Sequence, residues 1–224
     1  MSDTRQRRIK ALNARIKACQ RCPGLNIPRE TESAPGYGSV YSPVVIVGQS
    51  LCHQCMESQI PFTGGSGRFI DDALKRARIA KDQVFITNVV HCHPHDYPRD
   101  NRPSHPHEIE NCTPYLHSEL DIVAPRLIIG LGQDARKVLR SRYPDIEPLP
   151  WPFAIPRKVK GSPSLLFPAH PYWIMTRPKD IREQYVTNGR HRGHSDHGQP
   201  ARAGQLDARD SHPASADAGT GRSR

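Results

Sequence analysis

The chain has 224 residues, with 32 Lys and Arg against 22 Asp and Glu and a formal net charge of +10. That length suits one α/β domain with tails, and the positive surplus makes polyanions, nucleic acid first among them, the expected partner. No apolar run approaches the roughly 20 residues that span a bilayer, and the charged start MSDTRQRRIKALNARIK is unlike a signal peptide, so a cytoplasmic monomer without membrane contact is expected. In that reducing compartment six cysteines read as metal ligands or reactive thiols rather than disulfides.

Residues 4 to 19 set Ile9, Leu12 and Ile16 at helical spacing, which predicts a first helix delivering Cys19 at its end, stopped by Pro23 and Gly24. Val44 to Val47 reads as a buried strand. Phe69, Ile70, Ala73, Leu74 and Ala77 form one helical face, and Val84 to Thr87 a second strand. A loop rich in Pro and His runs from Val90 to Pro106, a length that usually marks function or disorder. A helix starting near Glu108 carries Ile109, Cys112, Leu116 and Leu120 on one stripe and ends before Pro125. Leu127 to Gly130 makes a third strand, Gln133 to Ser141 another helix, and Leu165 to Phe167 a fourth strand ahead of Ala169-His170-Pro171. Strands alternating with helices predict a three-layer α/β/α sandwich around a central four-stranded parallel sheet. From Asn188 the composition turns polar, with Leu206 the one large aliphatic residue, so residues 1 to 187 are expected to be the domain and 188 to 224 a disordered basic tail containing histidines.

Cys19 and Cys22 form one C-x-x-C pair, Cys52 and Cys55 a second, and Cys92 and Cys112 stand apart. Two such pairs suggest a tetrahedral zinc site, but 29 residues including a buried strand separate them, longer than the usual zinc-ribbon spacing. The other possible set is Cys19, Cys22, Cys92 and Cys112.

The order C-x-x-C, VVIVG, PFTGGSGRFIDDAL, VFITNVVHCHP, NRPSHPHEIENCTPYL, LIIGLG and AHPYW, over roughly residues 15 to 187, resembles the iron-sulfur (family 4) uracil-DNA glycosylases. The resemblance implies a base-excision enzyme that hydrolyses the N-glycosidic bond of uracil or another deaminated base in DNA. It also implies a [4Fe-4S] cluster on Cys19, Cys22, Cys92 and Cys112, and four thiolates from separate segments suit a cubane cluster. Phe62 falls where the family stacks a ring on the flipped base. Asn88 falls where an amide reads uracil, and His170 where a histidine donates to uracil O2 and so favours the anionic leaving group. Trp173 and Ile174 fall where apolar side chains press into DNA, and Arg177, Arg99 and Arg102 are candidate phosphate contacts.

One segment departs from the family. From Gly48 the pattern is close to G-E-A-P-G-x-x-E-D, whereas this chain has Gln49, Ser50, Leu51, Cys52, His53, Gln54, Cys55 and Met56. Gln49 can position a water but carries no charge, and Glu57 is the next carboxylate along. Three readings stay open for this stretch: altered glycosylase activity, a DNA- or base-binding protein without catalysis, or new chemistry from a metal or thiolate site at Cys52, His53 and Cys55.

Overall fold

The computed structural model describes residues 4–96, 101–150 and 163–187; Arg99 and the expected tail 188–224 lie outside them. In chain order the elements are α1 (Thr4–Lys17), β1 (Val44–Ser50), α2 (His53–Ser58), α3 (Arg68–Ala77), β2 (Phe85–Val90), α4 (Pro106–Val123), β3 (Leu127–Gly130), α5 (Gln133–Arg142), β4 (Ser164–Leu166), α6 (Pro171–Met175) and α7 (Lys179–Thr187).

The four strands form one parallel sheet in the order β2-β1-β3-β4. Successive side chains point to opposite faces, and both faces are apolar. Val45, Val47, Phe85, Val89, Ile128 and Leu165 join one core with residues of α1, α4 and α5. Ile46, Ile86 and Ile129 join a second core with Ile70 and Leu74 of α3. The expected three-layer sandwich is therefore the observed one. Burial of a side chain such as Leu116, Ile128, Leu139 or Leu165, each almost wholly enclosed, stabilises the fold by about 1.5–3 kcal/mol.

β1 continues three residues past Val47 because Gly48 and Ser50 pair with Asn88 and Val90. The chain leaves β1 for β2 on one side and then crosses to β3 on the other. The crevice outside the carboxyl ends of β1 and β3 is thus the switch point where open α/β sheets bind ligands. Three short helices were not expected. α2 and α6 have six and five residues, too few for an apolar period to show, and α7 packs behind α6, where the Tyr185 hydroxyl donates to Ala169 O at 2.7 Å. No described helix is long and apolar enough to cross a membrane.

Candidate functional site

Two of the expected site residues, Phe62 and Asn88, meet at the carboxyl end of the sheet. Gly48 and Asn88 are register partners in β1 and β2. A Cβ added at Gly48 would lie 2.4 Å from Asn88 Oδ1 and 2.7 Å from Phe62 Cζ, so the missing side chain is what lets the amide and the ring approach. Asn88 is 3% exposed, and its side-chain amide makes no hydrogen bond among the described residues. Its oxygen and nitrogen are not among the enclosed polar atoms that lack a partner, so the amide reaches solvent, where a ligand or water can complete it.

Phe62 is held there by an unfavourable backbone. Its φ is 58°, a left-handed value that a bulky residue adopts at a cost of about 1–3 kcal/mol. The surroundings fix it: Lys81 Nζ donates to Phe62 O at 2.8 Å while pairing with Asp71 at 2.9 Å, and Phe62 O packs so closely over Gly67 that a Cβ there would sit 2.0 Å away.

His170 caps α6. The Tyr172 N–H donates to its Nδ1 at 3.1 Å, which leaves the proton of the neutral ring on Nε2. Burial lowers the pKa of the imidazole below the ordinary histidine value, favouring that neutral form. The ring lies beside Gly132, where an added Cβ would be 3.1 Å from His170 Cδ2. Gly132 ends the turn from β3 into α5, so His170 stands on the β3 side of the crevice.

Gln49 is half-buried at the end of β1 and makes no side-chain hydrogen bond among the described residues. Glu57 is exposed and pairs with His53 at 3.3 Å one turn earlier in α2. Asp134, in the first turn of α5 two residues after Gly132, was not singled out from sequence; burial raises its carboxyl pKa.

Two expectations change in the structure. Ile174, expected beside Trp173 against DNA, is 2% exposed because the five-residue α6 turns it into the fold; the exposed aromatics of α6 are Tyr172 at 67% and Trp173 at 46%. Arg177 stacks over Trp173, its guanidinium carbon 3.9 Å from the ring centroid. Arg102, a candidate phosphate contact, is engaged inside the protein: its Nη1 and Nη2 donate to the two oxygens of buried Glu108 at 2.9 and 2.6 Å. Glu108 also accepts from the His105 N–H at 2.7 Å, so the pair anchors the start of α4.

A second convergence lies at the α1 end. Cys19, Cys22, Cys92 and Cys112 line one pocket together with Leu25, Val90 and Asn111. Burial raises the Cys92 thiol pKa, and the neighbouring Cys112, Cys19 and Cys22 raise it further; Cys22 is raised by burial and by Cys112 and Cys19, against a donation from Asn111. These shifts place the sulfurs within electrostatic reach of one another. Donors are already aimed at the sulfurs: Asn111 Nδ2 at Cys22 Sγ, 3.4 Å, and the His91 N–H at Cys112 Sγ, 3.5 Å. Four thiols around one pocket are the donor type an iron-sulfur cluster takes, while among the described residues no three His, Cys, Asp or Glu side chains are gathered as a ligand set for a metal ion. Behind Cys112, His91 Nε2 lies 3.1 Å from Glu119 Oε2, and Glu119 also accepts from Thr87 and from the Gly36 N–H, a buried network that sequence reading missed.

Cys52 and Cys55 stand apart from this pocket. Cys52 caps α2, and the Cys55 N–H donates to its sulfur at 3.3 Å. The stretch that departs from the family pattern thus starts a helix, where the Cys52 sulfur satisfies one of the free amides.

Residues 35–189 match the family model for the uracil DNA glycosylase superfamily. The chain belongs to that superfamily. It is 37% identical over 131 residues to a Type-4 uracil-DNA glycosylase of Pyrobaculum aerophilum, covering 58% of this chain and 64% of that one. A Type-4 uracil-DNA glycosylase of Sulfurisphaera tokodaii is 30% identical over 135 residues, 60% of this chain and 59% of that one. A Type-4 uracil-DNA glycosylase of Archaeoglobus fulgidus is 27% identical over 183 residues, 77% of this chain and 85% of that one. The match thus spans less than two thirds of the first two relatives' own length and most of the third's.

Proposed function

We propose that the protein is a DNA glycosylase that flips uracil or another deaminated base out of DNA and hydrolyses its N-glycosidic bond. The observation that carries this reading is Asn88: a nearly buried residue whose solvent-reaching amide has no hydrogen-bond partner among the described residues, faced across Gly48 by the ring of Phe62. An amide donates to uracil O4 and accepts from N3–H, two demands that cytosine reverses, and the aromatic ring supplies a stacking face.

His170 acts on the leaving group. With Nδ1 occupied by the Tyr172 N–H, its Nε2–H is the donor available to uracil O2, where negative charge grows as the bond breaks. A neutral donor does this without first losing a proton to the departing base. Gln49 at the end of β1 orients the attacking water. Tyr172 and Trp173, with Arg177 stacked on Trp173, form the surface that meets the distorted DNA, and the net charge of +10 draws the polyanion in.

Cys19, Cys22, Cys92 and Cys112 would hold a [4Fe-4S] cluster, whose contribution would be structural: it would tie α1, the segment after β2 and α4 together.

The missing carboxylate supports a second reading, a base-binding protein with little catalysis, since Glu57 is engaged by His53 rather than standing in for it. The separating experiment incubates the cluster-containing protein, purified without oxygen, with oligonucleotides carrying uracil, hypoxanthine or xanthine, followed by alkali. Strand scission on at least one is expected. Tight binding with no scission on any of them favours the second reading.

A further inference from the structure

The pair Cys52 and Cys55 serves neither the base pocket nor the four-thiol pocket. We propose that it is a redox-active dithiol, oxidised to an intramolecular disulfide by a small disulfide of the glutathione class, and that bond formation loosens the turn carrying Phe62.

The geometry favours closure. One helical turn separates the two residues, about 5 Å between Cα atoms, inside the range a disulfide accepts. Both sulfurs stand 3.8 Å from the same carbonyl, Thr63 O, and the Cys55 N–H donates to Cys52 Sγ at 3.3 Å. Cys52 is half-buried and reachable, while Cys55 is 4% exposed and cannot meet a bulky oxidant first. The first proton leaves the pair readily: donation from Cys52, helped by backbone N–H groups and opposed by burial, brings Cys55 down to about 6, whereas Cys52 is raised by its bond to Cys55 and by burial. One negative charge is thus shared between two sulfurs near neutral pH.

The step balances as follows. With the shared proton passed to Cys55, the Cys52 thiolate attacks one sulfur of the small disulfide; a protein–small-molecule S–S bond forms, the oxidant's S–S bond breaks, and the first small thiolate leaves with the electron pair. It takes the Cys55 proton. Cys55 then attacks Cys52 Sγ and expels the second small thiolate, so two electrons have passed from the pair to the oxidant.

The consequence reaches the turn 61–67. In the dithiol an S–H can donate to Thr63 O; the disulfide has no hydrogen to give, and it draws the sulfurs to about 2.05 Å from each other. Thr63 follows Phe62, whose left-handed backbone persists because its surroundings hold it. The effect on base binding rests on the proposed function; the redox pair itself does not.

The test equilibrates the full-length, cluster-containing protein without oxygen in glutathione buffers of stepped composition, traps free thiols by alkylation and weighs the peptide containing residues 52 to 55. The expected result is a single two-electron step from a doubly alkylated peptide to an unalkylated one two hydrogens lighter, with iron content unchanged. Cys55→Ser should instead accumulate a mixed disulfide at Cys52. Independent alkylation of the two thiols at every ratio overturns the pair, as does stoichiometric zinc that is lost in Cys52→Ser, for which His53 and His93, 5.9 Å apart ring to ring, would be the further ligands. Hydrogen exchange over residues 60–66 should quicken on oxidation in the wild type and stay unchanged in Cys52→Ser; equal exchange in both redox states overturns the link to Phe62. None of these readouts uses glycosylase activity, so their failure and that of the functional reading are told apart.

Discussion

The two C-x-x-C pairs have the same spacing and opposite surroundings. Cys19 and Cys22 follow the end of α1 and face two more cysteines brought from beyond β2 and from α4. Cys52 and Cys55 open α2 and face each other and a single carbonyl, Thr63 O. Spacing sets only that two sulfurs can meet. What else the fold brings to them separates a four-thiol pocket from an isolated pair.

The largest effect expected from breaking this contrast is at the first pair. Cys22→Ser or Cys92→Ser should lose the bound iron and most of the cooperative melting transition, while Cys52→Ser keeps both; iron analysis beside circular dichroism melts checks it. Arg102→Ala attacks the same side through the start of α4, which carries Cys112. It leaves Glu108 buried without its guanidinium and should cost about 3 kcal/mol of stability. Its DNA affinity should show an unchanged salt dependence, since Arg102 is not a phosphate contact.

On the side of the second pair, Gly48→Ala should suppress base release while leaving the melting temperature within a few degrees, provided Phe62 gives way. The added Cβ must displace either that ring or the Asn88 amide. Phe62→Gly should weaken base binding by the loss of a stacking face, about 1–3 kcal/mol, and return about 1 kcal/mol of backbone strain to stability. The smallest effect is on pH. The folded pKa of His170 lies below its ordinary value near 6.5, so the unfolded chain binds more protons in acid. The stability this group contributes is therefore present above that value and lost as pH falls toward the folded pKa. The acidic limb of the rate profile, set by protonation of His170, should lie below 6.5 and vanish in His170→Gln.

The sheet was legible because its strands are short apolar runs between helical stripes; the four-thiol set came from the family resemblance, since spacing alone left two sets open, and the same four cysteines line one pocket. The rest depended on contacts that no period records. α2 is too short to show an amphipathic face and is set by the Cys52 cap. Ile174 reads as an exposed wedge until the short turn after Pro171 is known to rotate it inward. The left-handed φ of Phe62 is imposed from outside, by Lys81 and Gly67, and nothing in Pro-Phe-Thr announces it. Arg102 looks like a free loop charge until the chain folds its head group back onto Glu108.

The claim on which the account turns is that a neutral His170, with Nδ1 occupied, stabilises the departing base. Single-turnover release of uracil from an oligonucleotide by wild type and His170→Ala, at equal iron content and saturating protein, tests it directly. The account predicts measurable release by wild type and a rate about 10²–10³ lower in the variant. Equal rates, or no release by wild type under any condition that supports DNA binding, would contradict it.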